Sequence, residues 1–470
     1  MAAGPDTEVS EAHVSTTAPH RESKVTVAVR FLPYALLVAL VVLVTKVASL
    51  PVTNADTFFH IRFGQEFLSD WSLWNPGSVT PFATRDWVPT QWLGEVVLGW
   101  FDNRFGLAGV AWLTGLMILG YMLALFVVCR RRAGALAAVA VTIVAVIASS
   151  DGLSGRPQVL SYLFMALLTD AWLRTAEDGR PRWWLVGLAW VWPLVHGMWL
   201  LGIVTSVVAA AGVLIDGRGT LDRRTRRQLL ALPVAMALAA ALTPIGPKIW
   251  TAVAVVGSRG SYYTEWAAPD YQRPVTLLMA VLLAVIVVIW VRRGQPGWFP
   301  VLMLLVCAGW ALYTNRTVPI AAAMAAPMAA AALGRLGTGD IGEATRRTDV
   351  RLAGGLVAAA LVVLAVVVPF TAADGPKQPS WLGPELRALP AGTPVLATDL
   401  TGGYLMWAYP SVPILAHGYG DTFTEAELRR NKDLIDVAPG WETELATTGI
   451  THAVLPKQSS LAYALDNTLG

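Results

Sequence analysis

Residues 31–60 read FLPYALLVALVVLVTKVASLPVTNADTFFH. The first two thirds are apolar apart from Lys46, and about 20 such residues cross the roughly 30 Å of a bilayer's hydrocarbon. Directly after this run come Asp56 and His60, an acid and an imidazole four residues apart, which share one face of any helix that starts there. A membrane-length run followed at once by ionisable groups predicts a polytopic helical protein with chemistry at the membrane surface.

The rest of the chain supports the first half of that reading. Of its 470 residues 55% are hydrophobic and 14% charged, and the mean hydropathy is +0.53. This is an integral membrane composition. Apolar runs recur at residues 29–50, 106–129, 133–150, 157–174, 183–196, 198–215, 228–257, 274–291, 297–314, 317–334 and 352–371, giving about eleven transmembrane helices. When the loops are assigned to alternate sides, one side holds 20 of the 35 Lys/Arg, the other nine, and the segment after residue 371 six. The positive-inside rule then makes the N-terminus cytoplasmic. Eleven spans place the C-terminal segment outside. The basic residues are spread over many loops and form no single patch, which excludes nucleic acid as a partner. Cys129 and Cys307 lie in or beside spans, so no disulfide framework is expected.

Three regions follow: residues 1–28 as a polar, disordered cytoplasmic tail, 29–371 as the transmembrane domain, and 372–470 as an extracytoplasmic domain. The last has strand-like runs at Val395–Thr398, Val412–Ala416 and Thr451–Leu455, with helical stretches near 403–409, 424–435 and 440–448. That alternation predicts a small α/β unit.

Residues 51–105 form the longest outer loop. Thr57 to Trp71 and Thr90 to Arg104 read as amphipathic helices lying in the interface plane, anchored by Phe58, Phe59, Phe63, Phe67 and Trp71 in one and Trp92, Val96, Trp100 and Phe101 in the other. Asp56 stands where an N-cap belongs, and it also stands where a base could act; the two roles are compatible. Further along, Arg156, His196, Glu265 and Arg316 fall at the outer ends of later spans, on the side of Asp56. Ionisable groups at such depths usually face a cavity or a partner. Pro193 and Gly197 flank His196, which predicts a broken helix whose freed backbone lines a cavity. Tyr262, Tyr263 and Trp266 fit either a sugar-stacking surface or an interfacial belt.

The segments Asp56-Thr57-Phe58-Phe59-His60-Ile61-Arg62-Phe63-Gly64 and Trp87-Val88-Pro89-Thr90-Gln91-Trp92-Leu93-Gly94-Glu95 resemble the first outer loop of bacterial, actinobacterial-type, multi-span glycosyltransferases of the GT-C superfamily. The likeness continues in Arg156-Pro157-Gln158, Trp192-Pro193-Leu194-Val195-His196-Gly197, Thr243-Pro244-Ile245-Gly246, Thr264-Glu265-Trp266 and Gly402-Gly403-Tyr404. This resemblance implies a GT-C fold whose cavity opens to the exterior. It implies an inverting transfer of a hexosyl or pentosyl group from a polyprenyl-phosphate donor, with Asp56 as base. The acceptor would be a cell-wall glycan, glycolipid or protein outside the cytoplasm, and the location the bacterial plasma membrane. Gln91 stands where the resemblance implies a second acid, leaving Asp86 and Glu95 as the nearby carboxylates.

A lipid phosphate needs cationic donors, and the planar fork of arginine suits it. Arg316 is the first candidate, followed by Arg156 and Lys248; His60, Asp86, Gln91, Glu95, His196 and Glu265 complete the expected substrate-binding set. Structural roles compete for Arg316, which could snorkel to headgroups or pair with Glu265. No cofactor is expected. Asp56, Asp86 and Glu95 are oxygen donors that would suit a divalent cation, yet they form no tight Asp-x-Asp pair, and the reading leans away from a metal. Two other functions compete with transfer: a lipid or polymer transporter, against which stands the lack of an internal repeat, and a catalytically silent scaffold that binds a glycolipid or partner protein.

Overall fold

The computed structural model describes residues 24–294, 296–337, 343–372, 375 and 381–469; most of the segment read as a disordered tail lies outside them. The helix of the first apolar run, α1 (Lys24–Ala48), starts a few residues before the run itself. Then follow α2 (Ala55–Ser69), α3 (Trp92–Arg130), α4 (Ala135–Ala148), α5 (Gln158–Asp178), α6 (Trp184–Val195), α7 (Trp199–Asp216), α8 (Arg223–Ala241), α9 (Lys248–Ser258), α10 (Pro274–Arg293), α11 (Trp298–Tyr313), α12 (Val318–Gly334) and α13 (Glu343–Thr371). Among the described residues six helices are long and apolar enough to cross a membrane, in α1, α3, α7, α10, α12 and α13, and α4, α6, α9 and α11 are shorter apolar helices.

Helix α12 is the hub of the bundle. Every side chain from Val318 to Ala330 is buried, and nine of the residues from 320 to 332 are alanine. Methyl-sized side chains let neighbouring backbones come close, so α3, α4, α5, α10 and α11 all pack around it. By contrast, the run 228–257 is not one span. Thr243-Pro244-Ile245-Gly246-Pro247 separates α8 from α9, with Gly246 at φ +72°; two prolines lacking N–H groups and a left-handed glycine cannot continue a helix.

The outer loop holds the two helices expected from its pattern, but the phenylalanines at the start of the first do a different job. The second is continuous with the following span as α3, bent at Gly106, whose φ of 63° only glycine adopts freely. Helices α2 and α3 cross at Gly64 and Gly99, so closely that a Cβ on Gly64 would lie 1.8 Å from the carbonyl oxygen of Glu95. Phe58, Phe59 and Phe63 are buried by protein, not laid in an interface. Phe58 packs on Tyr404 and Trp407 at ring distances of 5.1 and 5.2 Å, and Phe63 on Trp71, Trp87 and Tyr419. Of the partners that cover them, Tyr404, Trp407 and Tyr419 come from distant sequence, which is why local amphipathicity alone points them at lipid.

Those partners belong to the C-terminal region: α14 (Leu382–Ala388), β1 (Val395–Ala397), α15 (Asp399–Ala408), α16 (Glu425–Ile435), α17 (Trp441–Thr448), β2 (His452–Val454) and α18 (Ser460–Ala464). Strand β1 pairs in parallel with β2, Val395 opposite His452, and bridges Ile414 in parallel on its other edge. Two of the strand-like runs thus form a two-stranded sheet that the third joins by a single bridge, flanked by helices at the expected positions. Helix α15 lies along α2. Trp407 Nε1 and Gln65 Nε2 both donate to Asp102 Oδ2 at 2.9 Å, linking α15, α2 and α3.

Candidate functional site

The N-cap of α2 is Asn54, not Asp56. The Asn54 side chain accepts the Asp56 backbone N–H at 3.0 Å, so the carboxylate of Asp56 is released from capping and sits in the first helical turn. Its Oδ2 pairs with Arg156 Nη1. The same Arg156 nitrogen donates to Glu265 Oε1 at 2.6 Å. Arg156 is held just before α5 by the turn at Ser150–Gly152, with its own N–H on Ser154 O at 2.7 Å. Glu265 lies in the short turn Thr264–Trp266 beyond α9, and Asn315 N–H bonds Ala267 O at 2.9 Å. That bond brings the turn Asn315–Thr317 alongside, so Arg316 Nη1 stands 3.9 Å from Glu265 Oε2 and its guanidinium 5.7 Å above the Trp266 ring.

His196 occupies the expected break, between α6 and α7, in extended conformation. Arg316 Nη2 lies 3.2 Å from its Nε2. A guanidinium has only donors, so Nε2 carries the lone pair and Nδ1 the proton, which it donates to Ser161 Oγ at 2.9 Å. Trp192 Nε1 donates to the same oxygen at 2.8 Å. His60 is held by a different partner: its Nδ1 is 3.1 Å from Glu95 Oε1, which Gln91 Nε2 also approaches at 3.3 Å. Gln91 thus supports Glu95 by a neutral donor where a second acid would have repelled it.

These residues open onto one cavity of about 500 Å³, lined by Asp56, His60, Gln91, Arg156, His196, Glu265 and Arg316 among others. Glu95 is fully buried behind His60 and does not reach the lining. Asp86 and Lys248 are exposed and lie outside it. Tyr262, Tyr263 and Trp266 line the wall, facing the cavity.

The C-terminal region supplies a part of the wall that motif reading did not assign. Asp399, Gly418, Tyr419, Gly420 and Asp421 line the same space, as does Arg259 at the end of α9. The segment 418–421 is gripped through its backbone: Arg259 Nη1 donates to Gly420 O, and Arg85 Nη1 to Asp421 O at 2.8 Å. Gly418 sits so close to Asp56 that a methyl group there would lie 3.0 Å from Oδ1. A glycine-rich loop with a single acid gives no chemical signal in sequence; the two arginines that hold it are 174 residues apart, at 85 and 259.

The electrostatics separate the acids. Burial pushes the Asp56 carboxyl up, and although Arg156 pulls it back, Glu265 adds to the rise and the net direction is upward. For Glu265 burial acts in the same sense, but Arg156 and Arg316 together outweigh it and hold the carboxyl below its ordinary value. Burial, reinforced by the charges of Arg156 and Arg316, holds His60 well below the usual histidine range, so it is neutral at pH 7. Among the described residues no three His, Cys, Asp or Glu side chains converge as a metal site.

No protein-family model matches this chain, and no curated protein matches it in sequence. Its fold is nonetheless that of a known class. Nineteen chains of solved structures match it, among them an archaeal oligosaccharyltransferase AglB from Archaeoglobus fulgidus, solved in complex with an inhibitory peptide and a dolichol-phosphate. That superposition has a TM-score of 0.56 at 11% identity and covers 91% of this chain and 70% of the other. The architecture is a GT-C-like, mainly helical membrane fold with a small C-terminal sheet.

Proposed function

We propose that this protein is a membrane glycosyltransferase that moves a sugar from a polyprenyl-phosphate donor to an acceptor outside the cytoplasm. The observation that carries the reading is the single cavity in which a carboxylate freed from capping, Asp56, faces a guanidinium with spare donors, Arg316. The fold match to an enzyme that was solved with a dolichol-phosphate agrees with a lipid-linked donor.

In this mechanism Asp56 takes the proton of an acceptor hydroxyl, and the oxygen attacks the anomeric carbon in line as the lipid phosphate departs, inverting that centre. Asp56 Oδ2 is tied to Arg156, so Oδ1, on the side of Gly418, is the basic oxygen. Negative charge builds on the leaving phosphate, where a preorganised cation contributes most. Arg316 fills that role; Arg156 is engaged by two carboxylates and orients the base. Lys248, outside the cavity, takes no part. His196 fixes the Arg316 fork through Nε2. Neutral His60, backed by Glu95, offers Nε2 to a sugar or acceptor hydroxyl.

The test is transfer in proteoliposomes with polyprenyl-phosphate sugars of several kinds. Asp56→Asn is isosteric, and positioned acid–base catalysis is worth about 10²–10⁴ in rate, so the variant should bind donor and transfer almost nothing. Transfer at the normal rate by a folded Asp56→Asn protein would overturn the assignment.

A further inference from the structure

Two of the carboxylates that line the cavity meet at one nitrogen. Arg156 Nη1 contacts Asp56 Oδ2 and lies 2.6 Å from Glu265 Oε1. Oxygen ligands lie about 2.3–2.6 Å from Ca²⁺ and about 2.0–2.1 Å from Mg²⁺, so these two acids are spaced to share a single cation. The site that chelation would need is filled by a side chain. Arg156 is 8% exposed, stays protonated at any accessible pH, and is steadied by Ser154 Oγ, 3.3 Å from Nε. Arg316 brings a second positive charge to the same Glu265. The remaining acids near the first outer loop do not complete a ligand set: Asp86 is exposed and outside the cavity, and Glu95 is buried behind His60.

We infer that Arg156 is a built-in substitute for a divalent cation: its guanidinium occupies the point at which Asp56 and Glu265 would otherwise bind a metal, and the cavity works without one. The consequence for catalysis rests on the glycosyl-transfer reading; the cation-binding claim does not. A guanidinium supplies one charge and a fixed plane where a metal would supply two charges and an open coordination shell. It therefore orients Asp56 and neutralises Glu265 while leaving phosphate stabilisation to Arg316.

The probe is Mn²⁺, titrated into the purified full-length protein in detergent and followed by electron paramagnetic resonance, with no sugar or lipid donor present. Wild-type protein should show no saturable Mn²⁺ site. Arg156→Asp should create one, at least about tenfold tighter than any wild-type binding, because it uncovers the two native acids and puts a negative charge where a positive one was. Adding Glu265→Gln to that variant should remove it. Arg156→Ala, which only uncovers the two native acids, guards against misfolding of the aspartate variant and should also gain binding. A wild-type Mn²⁺ site that Asp56→Asn or Glu265→Gln abolishes would overturn the inference. Absence of binding in both folded Arg156 variants would overturn it equally. Because these titrations involve no substrate, they stand or fall separately from the transfer assay; in that assay, wild-type transfer should survive EDTA unchanged.

Discussion

Two arginine–aspartate pairs, at opposite ends of the bundle, use the same atoms for different purposes. At the end of α3 Arg130 Nε meets Asp349 Oδ2 at 2.7 Å, Tyr34 donates to Asp349 Oδ1 at 2.8 Å, and Arg130 Nη1 donates to Ala133 O at 3.1 Å. The two side chains are 2% and 1% exposed, and the pair fastens α1, α3 and α13 together. At the other end, Arg156 and Asp56 are 8% and 27% exposed and front a cavity. The first pair is closed: both carboxylate oxygens are used and both side chains are almost wholly buried. The second leaves Asp56 Oδ1 on the open side. An ion pair signals chemistry when it keeps an unspent atom facing a space, and structure when it does not.

The comparison breaks or holds by substitution. The largest effect falls on transfer in Asp56→Asn, about 10²–10⁴ as derived above, with the melting profile unchanged. The mirror experiment at the closed pair is Asp349→Ala. Removing one partner of a buried ion pair costs about 3–5 kcal/mol, so thermal unfolding in detergent should shift strongly downward, while donor affinity in whatever protein remains folded should match wild type. Arg316→Ala comes next: a hydrogen bond to a charged group contributes about 1.5–3 kcal/mol, so donor binding should weaken roughly 10- to 100-fold in a titration, with little change in stability. Unchanged donor affinity would make Arg316 a second closed pair with Glu265.

A pH profile sharpens the same contrast with a smaller signal. In the proposed mechanism Asp56 acts as base only when ionised, and its carboxyl is raised above the usual 3.8; transfer should therefore fail on the acid side at a pH above that value. His60 titrates far below 6.5 and stays neutral, so no second limb should appear near neutrality. The smallest effects are expected at Asp86→Ala and Lys248→Ala, exposed positions outside the cavity where surface substitutions usually stay within about 0.5 kcal/mol.

Much of the fold was legible because bilayer physics writes it in one dimension. Hydrocarbon thickness sets run length, and a run such as 31–50 needs no partner to be recognised. The break at His196 was legible for the same kind of reason, since Pro193 and Gly197 interrupt a helix locally. Asp56, Arg156, Glu265 and Arg316 were legible as a group because each is ionisable at one membrane face. What could not be read were facts of pairing. Asn54 and Asp56 are both good caps, and only the backbone decides between them. Phe58 and Phe63 look like interface anchors until Tyr404, Trp407 and Tyr419 arrive from more than 340 residues away. Arg259 and Arg85 carry no motif; their purpose exists only where the 418–421 loop passes between them.

That clamp has a bearing on how such a protein could change. Arg85 and Arg259 hold carbonyl oxygens, which every amino acid possesses, so the loop's position does not depend on which side chains it displays. Exchanging Asp421 would keep those backbone bonds while removing the charge that faces Arg85 and Arg259. Tyr419 is wedged among Phe59, Phe63 and Trp87 and lacks that freedom. Within one short loop, then, the fold keeps a residue locked by packing beside one held by its backbone, and a change at the second would alter the charge of the cavity wall while the scaffold beneath it stays as it is.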